Sequence, residues 1–295
     1  MRLANEQAAT ALRVLNKCCD RLEPDGAWRW RCTVQNGARL PIAASLQEGF
    51  LHLAWRPEAA RNHACAPQQA LLGNSTLTGG VKLALHGASR GLHLAADILI
   101  LEEKQLMDRL LLAIDGFHRG QGLLNPPASR VRFPAARLAA PQPGLAALLR
   151  ELSWPSAERA PNEFSAELDA TSAPPAAIRM TQSGVRLSVE LVRCNAPAEV
   201  SRRALAIFLL TATGALRMVR ACAEEPEGGL ACGIEVDLPA APAAEEIGHA
   251  LAALSVAHRM CARESTVLLN QAAAQCYLAA RELSTLNENQ SEQEN

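Results

Sequence analysis

The sequence predicts an α+β protein built from two similar α-β-β-β-α-β-β-α domains, each an antiparallel sheet flanked by helices, packed together as a pseudo-dimer. Three observations predict it. Short runs of apolar residues recur with a period of two and longer runs with a period of 3.6, and the two kinds come in the same order twice along 295 residues. The stretch TGGVKLALHGASRGLHLAADI, residues 78–98, is two alternating runs about a polar turn, and a similar stretch returns at 213–238. Between the halves lies a segment rich in proline and without sustained periodicity. The predicted organisation is a first domain at 1–124, a linker at 125–142, a second domain at 143–286 and a polar tail at 287–295.

In the first half, Leu12, Leu15, Cys19 and Leu22 fall on one helix face, and Pro24-Asp25-Gly26 stops that helix. Three alternating runs follow: Trp28, Trp30, Cys32 and Val34; Leu40, Ile42, Ala44 and Leu46; Leu51, Leu53 and Trp55. Their connectors are short and polar, so they form an antiparallel meander. By the same alternation the tryptophans go to the core and Arg29 and Arg31 to water. A weak helical stretch covers 58–73. The hairpin then sets Val81, Leu83, Leu85, Leu92, Leu94 and Ile98 on one face, with Lys82, Ala84, His86, His93 and Asp97 on a solvated face. Leu106, Leu110, Ile114 and Phe117 mark a closing helix over 101–119.

The second half repeats the order. A short helix spans Leu145 to Leu152. Phe164, Ala166 and Leu168, then Ile178 and Met180, then Val185, Leu187, Val189 and Leu191 mark three strands, with Arg186 on the wet face of the third. A helix runs from Glu199 to Leu210, Leu216 and Met218 open a strand, and Leu230, Cys232, Ile234 and Val236 lie on its partner. One long helix extends from about Ala243 toward Leu283.

Composition narrows the function. Lys and Arg total 29 against 30 Asp and Glu, which lacks the basic excess that neutralises phosphates, so nucleic acid is disfavoured as a partner. The first twenty residues mix charge and apolar character and predict neither a secretory signal nor a membrane span, which points to the cytoplasm. Aromatic residues are only 3% of the chain, so the cores must be aliphatic. The nine cysteines follow no disulfide spacing and contain no CxxC pair.

The segment from Val185 to Leu254, VRLSVELVRCNAPAEVSRRALAIFLLTATGALRMVRACAEEPEGGLACGIEVDLPAAPAAEEIGHALAAL, gives strand, helix, strand, hairpin turn, strand and a helix led by Glu245 and Glu246. This order resembles the small α/β domain of type III secretion chaperones and of the related YbjN-like proteins, and Leu40 to Phe117 matches it more loosely. The resemblance implies a twisted antiparallel sheet flanked by helices, a pairing of two such domains, and capture of an extended segment of another protein on apolar surface. The chain departs from secretion chaperones in being near neutral and in carrying two copies.

Candidate chemistry is sparse. His258 and Cys261 lie one helical turn apart, but a zinc site needs about four ligands, and a packed histidine beside a buried thiol is the simpler expectation. His63 and Cys65 read as loop residues. Cys222 and Cys232 flank the second hairpin turn, where opposite side chains approach disulfide distance. His86, His93 and Asp97 could form an acid-base cluster, yet GxSxG, HExxH and GxxxxGK[ST] are all absent. Asn74-Ser75-Thr76 is a chance sequon. The expectation is a non-enzymatic protein-binding module, a chaperone or adaptor for a client segment, with no catalytic residue, cofactor or metal. The alternatives are a small-molecule or metal-dependent enzyme on the same scaffold, and a structural subunit of a larger assembly. The expected contact between the halves uses Leu71 and Leu72 from one and Leu205, Ile207, Phe208 and Leu209 from the other.

Overall fold

The computed structural model describes residues 2–36, 38–56, 66–85, 91–124, 144–161, 163–168, 173–181, 184–227 and 229–293. The expected linker, His63, Cys65 and His86 lie outside the described residues. The first half runs α1 (Arg2–Cys18), β1 (Arg21–Pro24), β2 (Arg29–Asn36), β3 (Ala38–Gln47), β4 (Phe50–Trp55), α2 (Pro67–Asn74), β5 (Val81–Leu85), β6 (Leu92–Leu99) and α3 (Glu103–Leu124). The second runs α4 (Leu145–Glu151), β7 (Ser156–Ala160), β8 (Glu163–Ala166), β9 (Ala176–Thr181), β10 (Gly184–Cys194), α5 (Glu199–Gly214), β11 (Arg220–Glu224), β12 (Leu230–Leu238), α6 (Ala244–Val267) and α7 (Gln271–Gln293).

Both sheets are six-stranded and antiparallel, with the same strand order: β1-β2-β3-β4-β6-β5 and β7-β8-β9-β10-β12-β11. The recurring sequence pattern is therefore a recurring topology. Each half adds one strand at its outer edge, β1 or β7, to the elements that periodicity predicts. These strands carry no apolar alternation: β7 is exposed at every position, and β1 buries none of its four residues. In each half the last strand pair lies beside the fourth strand, so the middle helix, α2 or α5, crosses from the sheet centre to its edge.

One face of each sheet is covered by its own helices. Helix α3 packs on β5 and β6 and against α1; α6 packs on β10 and β12 and against α4. At the junction, α2 packs on α5 and β11, α5 packs on β5, and the edge strands β5 and β11 meet. The larger apolar core consequently runs through both halves, joining Leu51, Leu83 and Leu94 to Leu205, Leu209 and Ala221. The hairpin face expected to be solvated is instead the junction: Lys82 is 1% exposed and Ala84 fully buried. Alternation separated the two faces correctly, but the second half covers the polar one.

Three further differences have local causes. Trp30 is buried, whereas Trp28 sits before β2 with φ of 60° and is 38% exposed. Leu216 and Met218 lie in the loop before β11, which begins only at Arg220. The long last helix breaks at 268–270: Asn270 Oδ1 accepts the N–H groups of Ala272 and Ala273, capping α7, while Ser201 on α5 donates to Leu269 O at 3.1 Å and fixes the corner. Helix α7 then folds back across α5.

Candidate functional site

The two halves are locked by buried charge. On β6, Asp97 is paired across the ladder with His52 of β4; on β12, Asp237 is paired in the same way with Arg186 of β10. Two residues earlier on each strand, Ala95 pairs with Lys82 and Glu235 with Arg220. Lys82 and Arg220 thus occupy equivalent positions in the two copies. Each ion-pairs with the aspartate of its own sheet, Lys82 with Asp97 at 3.2 Å and Arg220 with Asp237 at 2.6 Å. Each also crosses to the other half. Lys82 donates to Thr213 O at 3.2 Å and to Leu216 O, at the end of α5; Arg220 donates to Leu77 O at 3.0 Å and Val81 O at 3.1 Å, beyond α2. The exchange is that of a two-fold dimer, written in one chain.

Neighbouring groups complete it. Arg220 binds Glu235 at 2.7 Å, and Arg186 binds Asp237 at 2.8 Å and donates to Ser75 O at 3.0 Å. Arg109 of α3 and Glu246 of α6 form a buried bidentate pair across the junction. Asn74, fully buried, bridges the two edge strands by donating to Leu83 O at 3.0 Å and Ala221 O at 2.8 Å, so the sequon is a structural joint. Met218 donates its N–H to Asp97 at 3.1 Å from a left-handed conformation, φ 62°, at the position equivalent to Gly80, φ 70°. A non-glycine residue there costs about 1–2 kcal/mol, which the contact across the junction offsets.

Four cations, Lys82, Arg109, Arg186 and Arg220, meet four carboxylates, Asp97, Glu235, Asp237 and Glu246. Burial alone would raise the Asp97 pKa, but the Lys82 ammonium, the His52 ring and the Met218 N–H outweigh it and hold the carboxyl well below its ordinary range. Burial opposes the charged form of Arg220, and Asp237 and Glu235 more than reverse this. Replacing such a set with apolar groups can be neutral, but removing one member strands its partner at a cost of about 3–5 kcal/mol. The network therefore specifies how the halves join. The cleft bounded by Asp97, Arg109, Met218, Asp237 and Glu246 leaves about 40 Å³ of space, room for one or two waters.

Ser45, His52 and Asp97 form a cross-strand row on β3, β4 and β6, with His52 Nδ1 2.8 Å from Asp97 Oδ1. Serine, histidine and aspartate in sequence invite a catalytic reading. The Ser45 hydroxyl instead accepts from Gln47 Nε2 at 3.1 Å, and Ser45 lies within a regular strand whose amides serve the ladder rather than an oxyanion. The thiols are equally unprepared: burial pushes Cys261 up to about 11 and Cys232 up to about 12. Cys222 pairs with Gly233, and Cys232 with Ala223, so the two cysteines point to opposite faces and cannot bridge. Among the described residues, no group of three or more His, Cys, Asp and Glu side chains converges as a metal site.

Of the expected contact residues, Leu71, Leu205 and Leu209 are buried in the core shared by both halves, and Leu72 and Ile207 are partly buried against it. Phe208 also packs on this core and meets Tyr277 of α7 edge-on, with centroids 6.2 Å apart.

Sequence reading passed over the outer face of α6. Val256, Met260 and Val267 are 41%, 49% and 44% exposed there. Beside them Phe50, Met218, Ala252, Ala253 and Val256 line a groove of about 260 Å³, whose wall is Arg217 stacked over Phe50 at 5.2 Å. The other copy supplies an internal control. Seven buried positions on α3 (106, 109, 110, 113, 116, 120, 124) match seven on α6 (247, 250, 251, 254, 257, 261, 265) in spacing, while Ile114 and Phe117 on α3 and Glu246 on α6 are buried without a buried counterpart. In that alignment Val256 and Met260 correspond to Asp115 and Arg119, an ion pair at 2.8 Å. The fold thus accepts charge at these two places, where α6 carries apolar residues; α3 in turn exposes Leu111 and Leu112 at the places of Ala252 and Ala253.

Comparisons with protein-family models, curated proteins and solved structures find no match to the chain. No helix among the described residues is long and apolar enough to cross a membrane.

Proposed function

We propose that the chain is a non-enzymatic protein-binding module, a chaperone or adaptor that holds a segment of a client polypeptide on the outer face of α6. The observation that carries this reading is the exposed row Val256, Met260 and Val267, of which Val256 and Met260 are apolar where the duplicate helix carries the Asp115–Arg119 ion pair. Exposed apolar surface costs solubility and is a mark of an interaction site when nothing in the fold requires it. The resemblance of the element order to that of secretion chaperones supports a scaffold that binds protein. The charges lining the Asp97–Glu246 cleft are engaged with one another and leave only about 40 Å³ there, which argues against that cleft as an active site. A cytoplasmic setting fits the reduced thiols.

The test is photo-crosslinking in the native cells, with the reactive amino acid placed at Met260 or, as control, at Arg119. A discrete protein adduct at Met260 but not at Arg119 is expected. Equal labelling at both positions, or none at Met260, sinks the proposal.

A further inference from the structure

The packing between the halves leaves a gap where α2 lies against α5 and β11. Leu71, Leu72, Ala206, Ala223 and Leu230 floor a pocket there of about 140 Å³, and all of them but Leu72 are buried. Close-packed interiors leave few voids larger than a water molecule; an apolar one of about 150 Å³ holds a benzene ring. The gap has a local cause. Ala206 of α5 and Ala223 of β11 both line it, and side chains of one carbon leave unfilled the space that larger residues would take. Water on such a floor finds no polar side chain to bind, so an apolar group displaces it favourably.

The mouth is polar, and its charge is unbalanced. Gln68, Glu199, Arg202 and Glu225 rim it. Arg202 is engaged with Glu225 at 2.6 Å and with Gly229 O at 3.5 Å. Glu199 is exposed and accepts from Gln68 Nε2 at 3.0 Å, an uncharged partner; among the described residues no cation pairs with it. Arg203, the next residue along α5 from Arg202, turns instead to Glu282 of α7 at 4.0 Å. One guanidinium against two carboxylates leaves the rim net negative, with the uncompensated charge on Glu199. An anionic head group would have to lie beside both carboxylates. A cationic one meets Glu199, whose two oxygens have acceptor sites beyond the one Gln68 uses.

We propose that this pocket binds a small primary amine with an apolar body about the size of one aromatic ring, the ring on the leucine and alanine floor and the ammonium at Glu199. Both halves build the site: α2 supplies Gln68, Leu71 and Leu72, and the second half supplies the rest, so the ligand lies in the joint between them. The pocket is separate from the outer face of α6, and neither proposal stands or falls with the other.

The experiment titrates the full chain calorimetrically with benzylamine, benzyl alcohol and benzoate, which share a ring and differ in the charge of the head group. Benzylamine should bind at one site per chain. Benzyl alcohol should bind about two- to fivefold more weakly, the ratio expected of one exposed ion pair, and benzoate more weakly than either. Leu72→Trp grows a half-buried side chain into the free volume and should abolish binding of all three with the melting temperature unchanged or raised. Glu199→Gln should erase the preference for the amine and leave the alcohol's affinity as it was, which a general loss of structure would not do. If Leu72→Trp lowers the melting temperature, the site is read instead from nuclear Overhauser contacts between the ring protons of benzylamine and the methyl groups of Leu71 and Leu230; contacts only to other methyl groups overturn the proposal. So does the absence of saturable benzylamine binding, equal affinity of the wild type for amine and alcohol, or binding that survives in a stable Leu72→Trp chain.

Discussion

Arg186 shows what a single residue's environment can hide. Alternation puts it opposite Val185 and Leu187, which reads as a solvent-facing position, but the face is covered and Arg186 binds Asp237, Glu235 and Ser75 O. Arg186→Glu would set a third carboxylate beside those two acids, and a loss of about 3–5 kcal/mol is expected in urea unfolding. Asp97 predicts a pH dependence. Its pKa is depressed in the folded chain, so its stabilising contribution is complete above the unfolded value, about 3.9, and is lost as pH falls through and below that value toward the lower folded one. Thermal melts between pH 7 and pH 2 should show wild type and Asp97→Asn far apart at neutral pH and converging toward the acid end. A constant separation would mean that the carboxylate's charge is not what holds the junction. None of this was legible in the sequence: Lys82, His52 and Asp97 form a site only once β4, β5 and β6 are in register and the other half has closed over them.

At the scale of elements, the strands that bury one face were legible because Leu40-Ile42-Ala44 and Val185-Leu187-Val189 announce themselves by period. Strands β1 and β7 were silent because edge strands with little buried surface have no apolar face to repeat. The corner between α6 and α7 was written, though weakly, as Asn270 before Gln-Ala-Ala-Ala, and continuous apolar spacing on both sides masked it. Asn270→Ala removes an acceptor from two helix-starting amides and should cost about 1 kcal/mol in chemical denaturation, with circular dichroism showing little loss of helix. A larger loss would mean that the corner also positions Tyr277 against Phe208. The exposed row of α6 was legible in principle, but its period is shared by the buried stripe next to it; only burial separates the two.

The whole molecule behaves as a dimer whose protomers are covalently joined. The apolar core crosses the junction, and the charges meeting there are satisfied only when both halves are present: Arg220 needs Leu77 O and Val81 O, Lys82 needs the carbonyl end of α5, and Glu246 needs Arg109. A half alone would expose the apolar faces of α2 and β5, or of α5 and β11, deprive Lys82 and Arg220 of the carbonyl groups of the other half, and separate Glu246 from Arg109. A protease site inserted within 125–142 tests this directly. After cleavage the fragments should remain together in gel filtration and unfold in one transition, now dependent on protein concentration because the covalent tether has become a bimolecular association. Adding Arg109→Ala should lower that transition further and promote dissociation on dilution, since it strands Glu246 at the boundary. If the cut fragments separate readily and melt independently at the original temperature, each sheet is sufficient for its own fold, and the interlocked charges are a consequence of proximity rather than what holds the halves in place.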